Sequence, residues 1–245
     1  MRSVFMAFGL LFCAQTALAG PIDNLNFYTE NYPPYNMTRN GEPTGIAVDL
    51  LAAILERADT ATTIADVRVA PWARGYATAK REPNTVLFAT TRTEKREDMF
   101  TWVGPIASTK LGVIGHKDAP AVNGVGDLAD AKTVTIRDDV AEQLLVKKGL
   151  STDAIHSVAS KDSIVNLLER GRVAYWAYET NVARYVLKQR GLAADYEVKH
   201  VLQEGELYYA FHPDSDPDAI AAFREAFRAV KDSPAYQTIR ARYLE

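Results

Sequence analysis

The chain has 245 residues, 28 Lys and Arg against 31 Asp and Glu, and 47% hydrophobic residues, enough to bury a sizeable core. Its charged fraction of 24% is that of an ordinary globular protein and excludes a disordered chain. A formal net charge of −3 with no basic block leaves no electrostatic footprint for nucleic acid, so no such partner is expected.

Residues 1–19 read as a secretory signal peptide. Met1-Arg2 supplies a short positive start, the run from Val4 to Cys13 is apolar, and Ala17-Leu18-Ala19 is a small-x-small cleavage site. Phe12 is too bulky for the small residue that a lipoprotein places before its cysteine. Cleavage after Ala19 removes Cys13, the single cysteine, so the mature chain relies on packing rather than disulfides. The expected compartment is a bacterial periplasm, where ATP and NAD are not ordinarily supplied. Past residue 19 no apolar run approaches the roughly 18 residues of a membrane span.

In the mature chain, residues 25–29 predict a strand, followed by the turn-rich Asn31-Tyr32-Pro33-Pro34 and a loop at Asn40-Gly41-Glu42-Pro43. Ile46, Leu50 and Ile54 lie at helical spacing, so residues 46–58 predict a helix with one face on a sheet. Residues 64–69 are β-branched and strand-like, and Pro71 suits the start of a helix running to about residue 81. Residues 86–89 form a short buried strand that ends in Thr90-Thr91. This alternation predicts α/β layers with parallel pairing.

The rhythm resumes with strands at 111–115 and 133–136 and a helix at 140–148 that stops at Gly149. Helices at 162–170 and 180–190 flank a strand at 174–177. Further strands are expected at 196–201 and 207–211, and then two helices broken at Pro234. Ile220, Phe223, Phe227 and Val230 make one apolar face of the first of these. No flexible linker divides the chain; residues 104–110 and 203–206 read instead as extended connectors. Two crossings suit a discontinuous architecture, in which residues 20–109 and 206–245 form one lobe and 110–205 the other.

The histidines, His116, His156, His200 and His212, are scattered without metal-ligand spacing, and no metal or cofactor is expected. Nucleophile-elbow, P-loop and dinucleotide motifs are absent, so the chain is not expected to be an enzyme. Asp138-Asp139, ahead of a helix, reads as an N-cap. The concentrated polar chemistry is Thr90-Thr91-Arg92-Thr93-Glu94-Lys95-Arg96, which follows the buried strand. Amides, hydroxyls and a guanidinium fork at that point suit a carboxylate, although a solvated charged turn has the same composition.

Several stretches in order, Tyr32-Pro33-Pro34-Tyr35, Pro43-Thr44-Gly45-Ile46-Ala47-Val48-Asp49-Leu50 and Thr91-Arg92-Thr93-Glu94-Lys95-Arg96, resemble the family 3 extracellular solute-binding proteins. Gly171-Arg172, the strand leading to Glu179 and the tail ending in Arg-Tyr-Leu extend the resemblance over residues 25–245. Such proteins are periplasmic receptors that often feed polar amino acids to ABC transporters. Pro71-Trp72-Ala73-Arg74 with Trp102-Val103-Gly104-Pro105 looks like one branch of the family.

The resemblance implies a monomeric, two-lobed periplasmic-binding-protein-like (type II) α/β fold. Each lobe would be a mostly parallel sheet flanked by helices, and two β-strand hinges would close the lobes over a ligand. It places Arg96 on a ligand's carboxylate with Thr91 beside it, and Glu179 on an ammonium group. Tyr32, Tyr35 and Trp72 would wall the ligand, the helix beginning near Val140 would offer amides, and Arg74 or Arg92 would add positive charge. Three positions depart from the amino-acid-binding pattern: Ala89 where a serine often helps, Thr29 where an acid often stands, and Glu179 one methylene longer than the usual aspartate. The expected function is capture of a small carboxylate-bearing molecule for an ABC permease. The alternatives are a dehydratase of cyclic carboxylic acids, with Glu179 or Glu30 as the acid, and a ligand-presenting partner of a membrane sensor.

Overall fold

The computed structural model describes residues 20–244; the expected signal segment lies outside them. A first unit contains β1 (Asn26–Thr29), the hairpin of β2 (Met37–Arg39) and β3 (Glu42–Thr44), α1 (Ile46–Arg57), β4 (Arg68–Val69), α2 (Trp72–Ala79) and β5 (Thr85–Thr91). The long β6 (Thr101–His116) leads into a second unit of β7 (Thr133–Ile136), α3 (Val140–Lys147), β8 (Ile155–Val158), α4 (Lys161–Glu169), β9 (Tyr175–Glu179) and α5 (Thr180–Gln189). An equally long β10 (Tyr196–Phe211) returns the chain to α6 (Pro217–Lys231) and α7 (Pro234–Leu244).

β1 lies between β4 and β5 and is parallel to both, and β7 lies likewise between β8 and β9. β10 runs antiparallel to β5 and β6, and β6 antiparallel to β9. One sheet results, in the order β4-β1-β5-β10-β6-β9-β7-β8. Its middle is narrow. β10 pairs with β5 only over residues 207–211, and β6 pairs with β9 only over 111–115. Between them Lys110 faces Glu204, Thr109 faces Gly205 and Ser108 faces Glu206, with no third strand alongside. A two-stranded ribbon twists more than a wide sheet, and the register shifts near Val201 and Leu207 bend it further.

All seven residues of β5 are buried, as expected of a central strand covered on both faces. The returning α6 closes the core of the first unit: Phe223 packs its ring 6.0 Å from Phe27, 5.0 Å from Tyr209 and 5.2 Å from Phe211. That core continues into the second unit through Val134, Ile164, Trp176 and Val182, and a separate cluster that includes Leu111, Val113, Leu128, Leu145 and Tyr175 packs there beside it. α7 fastens the tail, with the Tyr236 hydroxyl donating to the Ile106 carbonyl at 2.7 Å and Arg242 paired with Asp49. Among the described residues no helix is long and apolar enough to cross a membrane.

Most expected elements fall within a residue or two of their predicted limits, and four readings need correction. Residues 64–69 are not one strand: the Asp66 carboxylate accepts from the Thr63 amide at 2.9 Å, folds a short turn, and leaves only Arg68–Val69 extended. The pieces at 196–201 and 207–211 belong to one strand, β10, whose bulges break the alternation that marks a strand. In the same way 111–115 is only the end of β6, and the connector before it is itself strand. The loop at Asn40-Gly41 is the tip of the β2–β3 hairpin, where φ is 54° and 88°, the positive pair that an Asn-Gly turn supplies. β8, a short edge strand, was also absent from the expected elements.

Gly45 connects the hairpin to α1 at φ 121°, a region open essentially to glycine alone. A Cβ there would lie 2.5 Å from the Tyr35 carbonyl oxygen, the acceptor for the Ala47 amide at 2.7 Å. Gly45→Ala is therefore expected to destabilise the fold by at least about 2 kcal/mol in urea denaturation.

Candidate functional site

In a parallel sheet, polar side chains gather beyond the carboxyl ends of the strands. Here Glu30 follows β1, Trp72 follows β4, and Arg96 follows β5. From the second unit Asp138 and Asp139 follow β7, and Lys161 follows β8. The narrow waist brings these ends together.

Arg96 lies in the turn Glu94–Met99 and is 1% exposed. Its Nη1 donates to the Thr91 carbonyl and its Nη2 to the Asp138 carbonyl of the other unit, both at 3.3 Å. Its guanidinium carbon lies 5.1 Å from the ring centre of Trp72 and 5.0 Å from that of Tyr76, and these two rings stack at 5.3 Å. Nε is buried without a hydrogen-bond partner. Cation–π contacts contribute about 0.5–2 kcal/mol each, well short of what drying a guanidinium costs. Burial accordingly lowers its pKa, with Tyr76 and Asp139 opposing.

Asp138 provides the joint. Its φ of 60° places it in the left-handed region, where Asp is tolerated better than most residues. The turn leaves its carbonyl accepting from Trp72 Nε1 at 3.1 Å and Gln143 Nε2 at 3.0 Å as well as from Arg96. Ala89, near the end of β5, also has a positive φ of 58°, a strain of order 1–3 kcal/mol that recurs at functional sites.

The carboxylates have different duties. Asp139 caps α3 by accepting from the Ala141 amide at 2.9 Å, which occupies an amide that a ligand would otherwise meet. Glu179 is fully buried and caps α5, accepting from Val182 N at 2.7 Å. Its other oxygen takes the Lys110 amide at 3.3 Å, with the Tyr35 hydroxyl and Asn181 Nδ2 both at 3.4 Å. Glu179 thus ties the end of β9 to β6 and to Tyr35, and little of its acceptor capacity remains for an ammonium group. Glu30 meets Lys161 across the waist at 3.2 Å.

Of the residues expected from sequence, Arg96, Thr91 and Trp72 come together. Tyr32 joins them at the waist, its ring 5.7 Å and edge-on from Tyr178 of the second unit, and Tyr35 packs 5.7 Å from Tyr32. The Val140 side chain lies in the core of the second unit. Arg74 is exposed, and none of the hydrogen bonds or ion pairs among the described residues joins it to the cluster. Arg92 pairs with Glu97 and lies over the Trp102 and Tyr208 rings, on an exposed face.

Sequence reasoning missed Lys161, Tyr76, Tyr178 and the carbonyl of Asp138. Lys161 left a usable signal, since a lysine opening a helix opposes the dipole. Tyr178 left another: with Trp176 it shares one face of β9 at strand spacing, and the two rings stack at 5.3 Å. A cavity of about 320 Å³ opens beside the cluster, lined from the first unit by Glu30 and Trp72 and from the second by Ile136, Ser160 and Lys161. A larger hollow of about 580 Å³ shares no residue with it and is lined by exposed Lys132, His156, Arg170 and Arg172 together with Val158, Leu167 and Val173.

Burial pushes the Asp139 carboxyl up to about 6 from an ordinary 3.8, against the pull of the Ala141 amide and of Arg96. Between these values the folded protein holds a proton that the unfolded chain has lost, so stability falls as pH rises through this window. The full effect is about 2–3 kcal/mol. Asp139→Asn keeps a competent cap and is expected to flatten this dependence in denaturation curves taken from pH 4 to pH 6.5.

The family model for bacterial extracellular solute-binding proteins, family 3, matches residues 26–245. No curated protein matches the sequence. Among solved structures, the chain is similar to a histidine kinase sensor domain with similarity to periplasmic binding proteins, at a TM-score of 0.79 and 23% identity, covering 89% of this chain and 96% of that one. It is similar to the arginine-, lysine-, histidine-binding protein ArtJ of Geobacillus stearothermophilus, at 0.74 and 16% identity, covering 90% and 95%. The substrate-binding protein of an ABC uptake transporter from Streptococcus pneumoniae, solved with bound histidine, gives 0.78 and 13% identity, covering 91% and 94%. At these identities the neighbours show the two-lobed fold.

Proposed function

The chain belongs to the bacterial extracellular solute-binding proteins of family 3, and from that premise we propose that it is a periplasmic receptor for a small carboxylate-bearing molecule, an amino acid or a related organic acid. Arg96 carries the reading. It is a buried guanidinium held between two units by backbone carbonyls, with its Nε–H unpartnered and no carboxylate within ion-pair distance among the described residues. A ligand carboxylate supplies the acceptor this group lacks, through the bidentate geometry to which arginine is suited.

The waist supports the rest of the reading. Residues 104–110 and 203–206 act as the two hinges, so residues 20–109 with 206–245 move as one lobe and 110–205 as the other. Closure then brings Trp72 and Arg96 onto the Asp138 carbonyl, as their contacts at 3.1 and 3.3 Å illustrate. An exposed pair such as Lys147 with Glu94 adds little to closure, since surface ion pairs are worth about 0–1 kcal/mol. The partner that receives the ligand is an ABC permease, and export follows from residues 1–19 acting as a signal peptide. The family's matches are binding proteins, which supports capture rather than turnover.

A micromolar ligand requires about 8 kcal/mol net, and a charged hydrogen bond supplies about 1.5–3 kcal/mol. Arg96 therefore shares the task with the aromatic walls, yet its loss leaves a desolvated carboxylate unpaired. Thermal-shift and calorimetric screening against amino acids and small organic acids is expected to find a ligand whose affinity falls at least about 100-fold in Arg96→Ala. Tight binding that ignores this substitution would refute the site.

A further inference from the structure

The cavity between the units holds a charge pair that the carboxylate grip does not use. Glu30 and Lys161 come from opposite units, and their side chains are 11% and 18% exposed. The pair is not self-sufficient. One hydrogen bond joins Lys161 Nζ to Glu30 Oε2, and among the described residues neither Glu30 Oε1 nor the other ammonium hydrogens have a partner. Behind the lysine, the Tyr178 hydroxyl is also buried without a partner among the described residues, and Lys161 Nζ lies 5.8 Å from the centre of its ring. Burial raises the Glu30 pKa despite the neighbouring lysine, so the attraction within the pair does not offset the cost of drying it. Trp72 lines this cavity, and its ring lies 5.1 Å from the Arg96 guanidinium carbon, so the cavity and the carboxylate grip share one wall.

We propose that Glu30 and Lys161 read the far end of the ligand whose carboxylate Arg96 takes, and that this end is uncharged and both donates and accepts hydrogen bonds, as a carboxamide or hydroxyl does. The inference rests on the receptor reading above. The two charges neutralise each other, and a neutral guest can bond to both while leaving them paired. An anionic end would take Lys161 and strand Glu30; a cationic end would do the reverse. Either leaves a buried charge uncompensated, which is the costly outcome.

The test is calorimetric titration of the protein with L-glutamine, L-glutamate and L-lysine, in the wild type, Glu30→Gln, Lys161→Met and the double variant. The wild type is expected to bind glutamine at least tenfold more tightly than either charged ligand. Glu30→Gln leaves the lysine unpaired and is expected to shift preference at least tenfold toward glutamate. Lys161→Met should shift it by as much toward lysine, and the double variant should return it to glutamine. Ratios between ligands measured on one sample do not depend on how much of that sample is folded. The proposal is overturned if both single variants shift the same way, if the preferences do not change, or if the wild type favours a charged ligand or takes none of the three. Failure of the Arg96 reading looks different: the organic-acid screen then finds either no ligand or one that Arg96→Ala leaves unaffected.

Discussion

A buried guanidinium is the constraint around which this molecule is organised. Arg96 is 1% exposed, and among the described residues its hydrogen bonds go to carbonyls rather than to a carboxylate. Carbonyl dipoles and ring faces stabilise such a charge only in part. The compensation has to come from several directions at once: Thr91 at the end of β5, Trp72 and Tyr76 on the preceding helix α2, and Asp138 from the other unit. Asp139 adds a negative charge close enough to support Arg96, while its own burial favours the neutral acid.

The fold assembles those groups by ending parallel strands at one place. Two βαβ arrays present their carboxyl ends to a common waist, and among the described residues β6 and β10 are the strands that run between them. In the proposed receptor this thin connection is where the two arrays move relative to one another. Tyr35 and Glu179 sit at this joint, since the Tyr35 hydroxyl shares its one proton between the Ser108 carbonyl at 3.2 Å and Glu179 at 3.4 Å, and Glu179 accepts from the Lys110 amide. A carboxylate that resembles a ligand contact in sequence thus serves as helix cap and hinge fastening. In the proposed receptor the role of contacting a polar ligand passes to Glu30, whose second oxygen has no partner among the described residues.

Much of this was legible in the chain. The helical spacing of Ile46, Leu50 and Ile54 and the all-apolar strand before Thr90-Thr91 gave α/β layering directly. The polar run ending in Arg96 marked the candidate site because its chemistry is local in sequence. What stayed hidden depends on contacts between distant segments. The carbonyl of Asp138 has no sequence signature, and its role arises from a left-handed turn. Lys161 meets Glu30 from 131 residues away, and β10 was read as two strands because its bulges interrupt the alternation. Arg74 differs from its neighbour Trp72: it lies exposed, while Trp72 two positions earlier on α2 is buried.

Native mass spectrometry of the protein purified gently from its source compartment addresses the role of Arg96 most directly. A small molecule retained through purification should carry a carboxylate, and the same preparation of Arg96→Ala should lack it. A retained molecule without any acidic group, or one held equally by both proteins, would contradict the assignment of Arg96 as the group that grips the ligand.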